Sequence, residues 1–116
     1  MAFIGDNACG VWINYDGGNN SIRDSHNVSS ITDHGSGDQT INFSVTFSNN
    51  DFSVVTNQRL DTSGGAPNIV HTGNEHDDNN TDSCRIKCGT GNQNAAGGSG
   101  TAEDVSSVHI AVFGAI

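Results

Sequence analysis

Cys84 and Cys88, separated by three residues, fall within the broad spacing range of zinc-ligand pairs, and Cys9 with a nearby histidine would complete a set of four. Strand geometry argues against that site. Cys84, Ile86 and Cys88 alternate with Arg85 and Lys87, and residues four apart in a strand lie ~13 Å apart. Zn–S bonds are about 2.3 Å long, so one ion reaches both thiolates only across a bulge. The expected state is a buried, reduced thiol that behaves as a small hydrophobe. A disulfide from Cys9 to Cys84 or Cys88 is the second reading, and the count of three leaves one cysteine over.

Asp77-Asp78-Asn79-Asn80-Thr81-Asp82 offers hard oxygen ligands of the kind calcium takes. It lacks the twelve-residue loop with its glycine and closing bidentate glutamate, so an exposed polar loop is expected over 73–82. His26, His34, His71, His76 and His109 are scattered, and solvated or hydrogen-bonded imidazoles are expected. Glu75 and Glu103, the only glutamates, are placed in loops, with no partner motif for glycoside hydrolysis. No serine or cysteine occupies a nucleophile elbow. Gly97-Gly98-Ser99-Gly100 is glycine-rich but lacks the Lys-Ser/Thr step of a phosphate loop. Trp12 is the one tryptophan; its place in the first strand favours burial in the core or between subunits over stacking on a sugar. No catalytic, cofactor-binding or metal-binding residue is assigned, and neither enzyme activity nor a cofactor is expected.

The elements that would position these residues are strands. Val11, Ile13 and Tyr15 alternate with Trp12 and Asn14; Ile41, Phe43, Val45 and Phe47 alternate with Asn42, Ser44 and Thr46; Val108, Ile110 and Val112 alternate with His109, Ala111 and Phe113. Period two marks a half-buried strand, because successive side chains leave a pleated backbone on opposite faces. His34-Gly35-Ser36-Gly37 supplies the glycines of a hairpin loop. Further strands are expected over 22–25, 27–33, 52–56, 69–72 and 84–88, and loops over 59–68 and 89–100. Apolar residues on both faces near Ala111–Phe113 predict a strand covered on two sides, centrally in its sheet or at a subunit contact. No window carries helical apolar spacing with caps. The expected fold is all-β: an antiparallel, jelly-roll-like β-sandwich of seven or eight short strands, one domain over 1–116 with residues 1–9 as a short arm.

Composition narrows the partners. The chain of 116 residues has 33% hydrophobic and 6% aromatic residues, a lean supply for a core. Burial between subunits would supplement it, which predicts a homo-oligomer. Four Lys plus Arg stand against 13 Asp plus Glu, a formal charge of −9, and no nucleic-acid partner is expected because phosphates demand a basic patch. No apolar run reaches the ~20 residues of a membrane helix. The first ten residues have neither a basic region nor a long apolar run, so synthesis in a cytoplasm without a signal peptide is expected.

Three groups of residues carry a resemblance: Val11-Trp12-Ile13-Asn14-Tyr15; the continuous run from Ser21-Ile22-Arg23-Asp24-Ser25 through Asn27-Val28-Ser29-Ser30-Ile31-Thr32-Asp33 and Gly35-Ser36-Gly37-Asp38 to Thr40-Ile41-Asn42-Phe43; and the Arg85-Ile86-Lys87 and Val108-His109-Ile110-Ala111-Val112-Phe113-Gly114 strands. Over about residues 11 to 114 the chain resembles a small β-domain of virion surface proteins in tailed bacteriophages, marine and cyanobacterial ones in particular. Such domains occur in tail fibres and in knob or decoration proteins. The resemblance implies a non-enzymatic structural protein of the virion surface, assembled with itself as a trimer and with other virion proteins of the capsid or tail. Only nine residues precede the first strand, where fibres of the family carry a long attachment section, so the expectation shifts from fibre toward a capsid decoration or knob protein that aids host adhesion. The alternatives are a tail-fibre or receptor-binding tip, a lectin-like domain for host-surface glycans and, last, a metal-dependent enzyme.

Overall fold

The computed structural model describes residues 9–59, 69–91 and 100–116. These form nine strands: β1 (Cys9–Asp16), β2 (Ser21–His26), β3 (Val28–Gly35), β4 (Asp38–Phe43), β5 (Ser53–Gln58), β6 (Ile69–Asn80), β7 (Ser83–Gly91), β8 (Gly100–Ala102) and β9 (Val108–Phe113). Two antiparallel sheets result. The first has the order β2-β1-β9-β5, the second β3-β4-β7-β6, with β8 beside β7. The protein is an all-β sandwich with nine strands where seven or eight are expected. Consecutive strands stay together as β1–β2, β3–β4 and β6–β7, where a jelly roll would alternate between sheets.

The inner faces follow the alternation. Val11, Ile13 and Tyr15 of β1 and Val108, Ile110 and Val112 of β9 are buried in the first sheet; Ile41, Phe43, Cys84, Ile86 and Cys88 face them from the second. β9 lies centrally in its sheet, between β1 and β5, in line with its apolar sequence. Strand β4 ends at Phe43, short of the alternation that runs on to Phe47. Phe47 still reaches the core from the following loop, held by its N–H donating to the Thr81 carbonyl at 2.7 Å. There it packs on Phe43 and Phe52, with ring centroids 5.0 to 5.9 Å apart, within the range of favourable aromatic pairs.

Asn27 makes the corner at which the chain leaves the first sheet for the second. It adopts φ 57°, a left-handed conformation that asparagine tolerates. Its Nδ2 donates to the Gly10 carbonyl at 2.9 Å, and its own carbonyl accepts from Ser44 N at 2.9 Å.

One expectation is corrected outright. The polar run 73–82 is not a loop: β6 continues through it to Asn80, and Thr81 and Asp82 turn the chain into β7. Pairing with β7 runs from Ile69↔Gly91 to Glu75↔Arg85, shifts register, and resumes at Asn80↔Ser83. Within the shift, Asn74 and Asn79 exchange amide hydrogen bonds at 2.8 and 2.9 Å, and Asn79 is buried. Backbone pairing to an inner strand outweighs the poor strand propensity of Asp and Asn, which is strongly context-dependent. β7 likewise runs to Gly91, three residues into the expected 89–100 loop, and β8 pairs with that end. Most of the expected 59–68 loop, the rest of the 89–100 loop and all but Cys9 of the N-terminal arm lie outside the described residues.

Candidate functional site

Chemistry-bearing residues gather in three places: the interior, the outer face of the second sheet and the outer face of the first. In the interior, Cys84 and Cys88 project from one face of β7 into the core. Cys9, Cys84 and Cys88 are all thiols with no disulfide among them. Burial pushes the Cys84 thiol up to about 12, so it carries no thiolate at neutral pH and is a poor nucleophile or metal ligand. Burial, with the adjoining Cys88 and Cys84, also raises the Tyr15 phenol well above its ordinary value. Among the described residues no three His, Cys, Asp or Glu side chains converge as a metal site. Cys9 is half-buried, with its thiol donating to the Val11 carbonyl at 3.1 Å.

A polar thread ties the two sheets together through this interior. Tyr15 Oη donates to Gln39 Oε1 at 3.5 Å, and Gln39 Nε2 donates to Asp104 Oδ1 at 3.5 Å. The same Asp104 oxygen accepts from Gly37 N at 2.8 Å. Gln39 is 1% exposed, and these bonds satisfy an amide that would otherwise be costly to bury.

The outer face of the second sheet is polar and internally bonded. Asn42 Nδ2 of β4 donates to Ser30 Oγ at 3.0 Å and Thr32 Oγ1 at 2.9 Å of β3, and His34 Nε2 lies 2.8 Å from Thr40 Oγ1. On the β7 side, Arg85 grips Asp38 with Nε and Nη2, both at 2.8 Å, and Asp78 with Nη1 at 2.6 Å. Lys87 Nζ adds a 2.6 Å bond to Asp38. The Arg85 hydrogen bonds, then those of Lys87 and the charges of both, hold the Asp38 carboxyl well below the usual carboxylate range against the cost of burial. Asp38 in turn raises the Arg85 guanidinium above its ordinary value. A carboxylate locked in its ionised form and saturated by three cationic donors cannot trade protons at neutral pH. This cluster has no motif in the sequence. Its one signal is that Arg85 and Lys87, two of only four cations, share the face of β7 opposite the cysteines.

The histidines are dispersed, as expected. His26 lies 3.1 Å from Asn27 Nδ2, His109 3.1 Å from Ser107 Oγ, and His76 3.9 Å from both Asp51 and Asp77; His71 lies in β6. Asp77 and Asp78 are strand residues, and Asp78 is committed to Arg85. Glu75 belongs to β6, opposite Arg85, rather than to a loop. Glu103 follows β8 and donates its backbone N–H to the Cys88 carbonyl at 3.2 Å. Of Gly97-Gly98-Ser99-Gly100, the first three lie outside the described residues.

The outer face of the first sheet is different in kind. Trp12 is 37% exposed rather than buried in the core. It stands in a row that crosses all four strands: His26, Trp12, Ala111 and Val55. Val55 is 58% and Phe113 38% exposed. Comparison of the chain with protein-family models, with curated proteins and with solved structures gives no match.

Proposed function

We propose that this chain is a non-enzymatic structural protein on the surface of a tailed-bacteriophage particle, a capsid decoration or knob protein that aids attachment to the host cell and assembles with itself. The observation that carries the reading is the wording of residues 27–47, which resembles the β-domain of such proteins; a trimer follows from the same resemblance. The structure supports a scaffolding use of those residues. Asn27 turns the corner between sheets, Ile41 and Phe43 fill the core, and Asn42 bridges β3 and β4. The polar groups best placed for chemistry are spent on each other, as in the Asp38–Arg85–Lys87 cluster.

The test is labelling of purified particles with an antibody against the chain. Gold on the heads is expected, together with stoichiometric rebinding of the isolated protein to stripped capsids. Gold confined to tail tips transfers the protein to the receptor-binding alternative, and particles without label overturn the reading. A lectin-like role is the second reading, favoured by the polar row of Thr32, Thr40 and Arg85 across β3, β4 and β7, with Asn42 beside it. Retention of isolated protein on a glycan array supports it.

A further inference from the structure

We infer that the outer face of the β2-β1-β9-β5 sheet is the surface through which copies of this chain bind one another. At its centre Trp12, Ala111, Val55 and Phe113 form a contiguous apolar patch that the fold leaves open. β9 is inside its sheet, so two of its outward residues, Ala111 and Phe113, are apolar for a reason other than the monomer core. Their alternation partners Val108, Ile110 and Val112 already supply that core. A monomer gains nothing from exposing an indole, a phenyl ring and an isopropyl group side by side, and such clustering marks contact surfaces.

Charge selects a second copy as the occupant. The chain carries −9, so two copies repel wherever their carboxylates face each other. Of the carboxylates among the described residues, the outward rows of this sheet hold two: Asp24, in the row Asp24, Asn14, His109 and Asn57 beside the apolar one, and Asp16 at the end of β1, which pairs with Arg23 at 3.3 Å. The second sheet carries Asp38, Glu75, Asp77 and Asp78 on β4 and β6 against Arg85 and Lys87 on β7, which leaves it the more negative of the two. The acid-poor face is therefore where like copies approach at least electrostatic cost. A basic partner would instead be drawn to the acidic side.

The area fits association that depends on concentration. Four strands at ~4.8 Å spacing and six residues at ~3.4 Å rise make a plane of about 20 by 20 Å. Two such faces with their side-chain relief bury on the order of 1,000 Å², the lower bound for a specific interface. The inference names the face for the self-assembly in the proposed function, but it rests on the patch and the charge map alone.

Sedimentation velocity over a concentration series tests it on the folded chain. The wild type is expected to form a dimer or trimer that strengthens with added salt, as repulsion is screened. Val55→Glu, on an edge strand where the new side chain stays solvated in the monomer, should weaken association by at least about a hundredfold, because a carboxylate would enter the contact unpaired. Trp12→Ala should weaken it in the same direction, and Ser30→Glu on the other sheet should leave it unchanged. Circular dichroism confirms that each variant is folded. A wild type that stays monomeric at millimolar concentration, or an oligomer indifferent to Val55→Glu and Trp12→Ala, overturns the inference; particle labelling still tests the virion role separately.

Discussion

Gly37→Ala should be among the most damaging single-methyl additions in this protein, and Gly35→Ala, two residues away in the same turn, provides its control. Both glycines have positive φ, 126° at Gly35 and 64° at Gly37. A side chain at either position strains the backbone by about 1–2 kcal/mol. Their surroundings differ. A Cβ on Gly35 meets nothing within 4 Å. A Cβ on Gly37 would collide with the Cys88 carbonyl oxygen and come within 2.8 and 2.9 Å of Glu103 N and O, all main-chain atoms with no flexible end to move aside. Relief means lifting the β3–β4 turn away from β7 and the 103–104 segment. That movement sacrifices the bond from Cys88 N to Gly37 O at 2.8 Å and the bond from Gly37 N to Asp104 at 2.8 Å. At about 0.5–1.5 kcal/mol each, their loss adds about 1–3 kcal/mol. Gly37→Ala should therefore cost about 2–5 kcal/mol and Gly35→Ala about 1–2 kcal/mol, the former a large share of the 5–15 kcal/mol typical of a domain. Urea unfolding followed by far-ultraviolet circular dichroism measures both. Equal losses in the two variants would refute the claim that close packing of main chain, rather than φ alone, demands glycine at position 37.

Two pH effects follow from the charged and buried groups. Asp38 is held ionised in the fold, so its contribution is fully present above the unfolded carboxyl value of ~3.9 and is lost as pH falls through its depressed folded value; urea midpoints of wild type and Asp38→Asn should differ at pH 6, and the gap should narrow steadily as pH falls below about 4. A constant gap would count against the Arg85–Lys87 clamp. Cys84 has the opposite sign: its protonated form is favoured by burial, so stability is intact below the unfolded thiol value of ~8.5 and declines as pH rises toward about 12, by up to about 1.4 kcal/mol per pH unit. Cys84→Ala, though less stable at pH 7, should lose less between pH 8 and 10.5; parallel profiles would refute the assignment. In the native wild type, Cys9 should react with a thiol reagent well before Cys84.

What was legible from the residues alone is the set of strands with apolar alternation. Val11/Ile13/Tyr15, Cys84/Ile86/Cys88 and Val108/Ile110/Val112 each announce an inner face, and the two glycines of the 34–37 turn announce a hairpin. The polar half of β6 was not legible, because its pairing energy comes from β7 and its side chains follow no burial pattern. Nor was the break after Phe43, where the alternation continues but the loop, not the strand, delivers Phe47 to the core. The Asp38–Arg85–Lys87 cluster joins residues 47 and 49 positions apart, and only the antiparallel register of β4 on β7 brings them together. Trp12 shows the converse limit: its type predicts burial, but it alternates with Val11, Ile13 and Tyr15, and their burial turns it away from the core.

The division of labour between the two halves of the sandwich gives the resemblance its meaning. The wording of residues 27–47 is spent on closing the fold, from the Asn27 corner to the Gly37 contact with β7 and the Asn42 bridge to β3. Such positions specify a module and say little about what it touches. Contact with partners must then fall to the outward rows, and these are not alike. One holds the apolar row around Trp12 and only two aspartates, one of them paired with Arg23; the other is polar, charged and internally bonded. The proposed particle-surface role requires such an asymmetry, since one side has to lose water against neighbouring protein while the other has to keep it. Surface mutations should accordingly sort by sheet: those on the first alter the proposed self-association, and those on the second leave it unchanged.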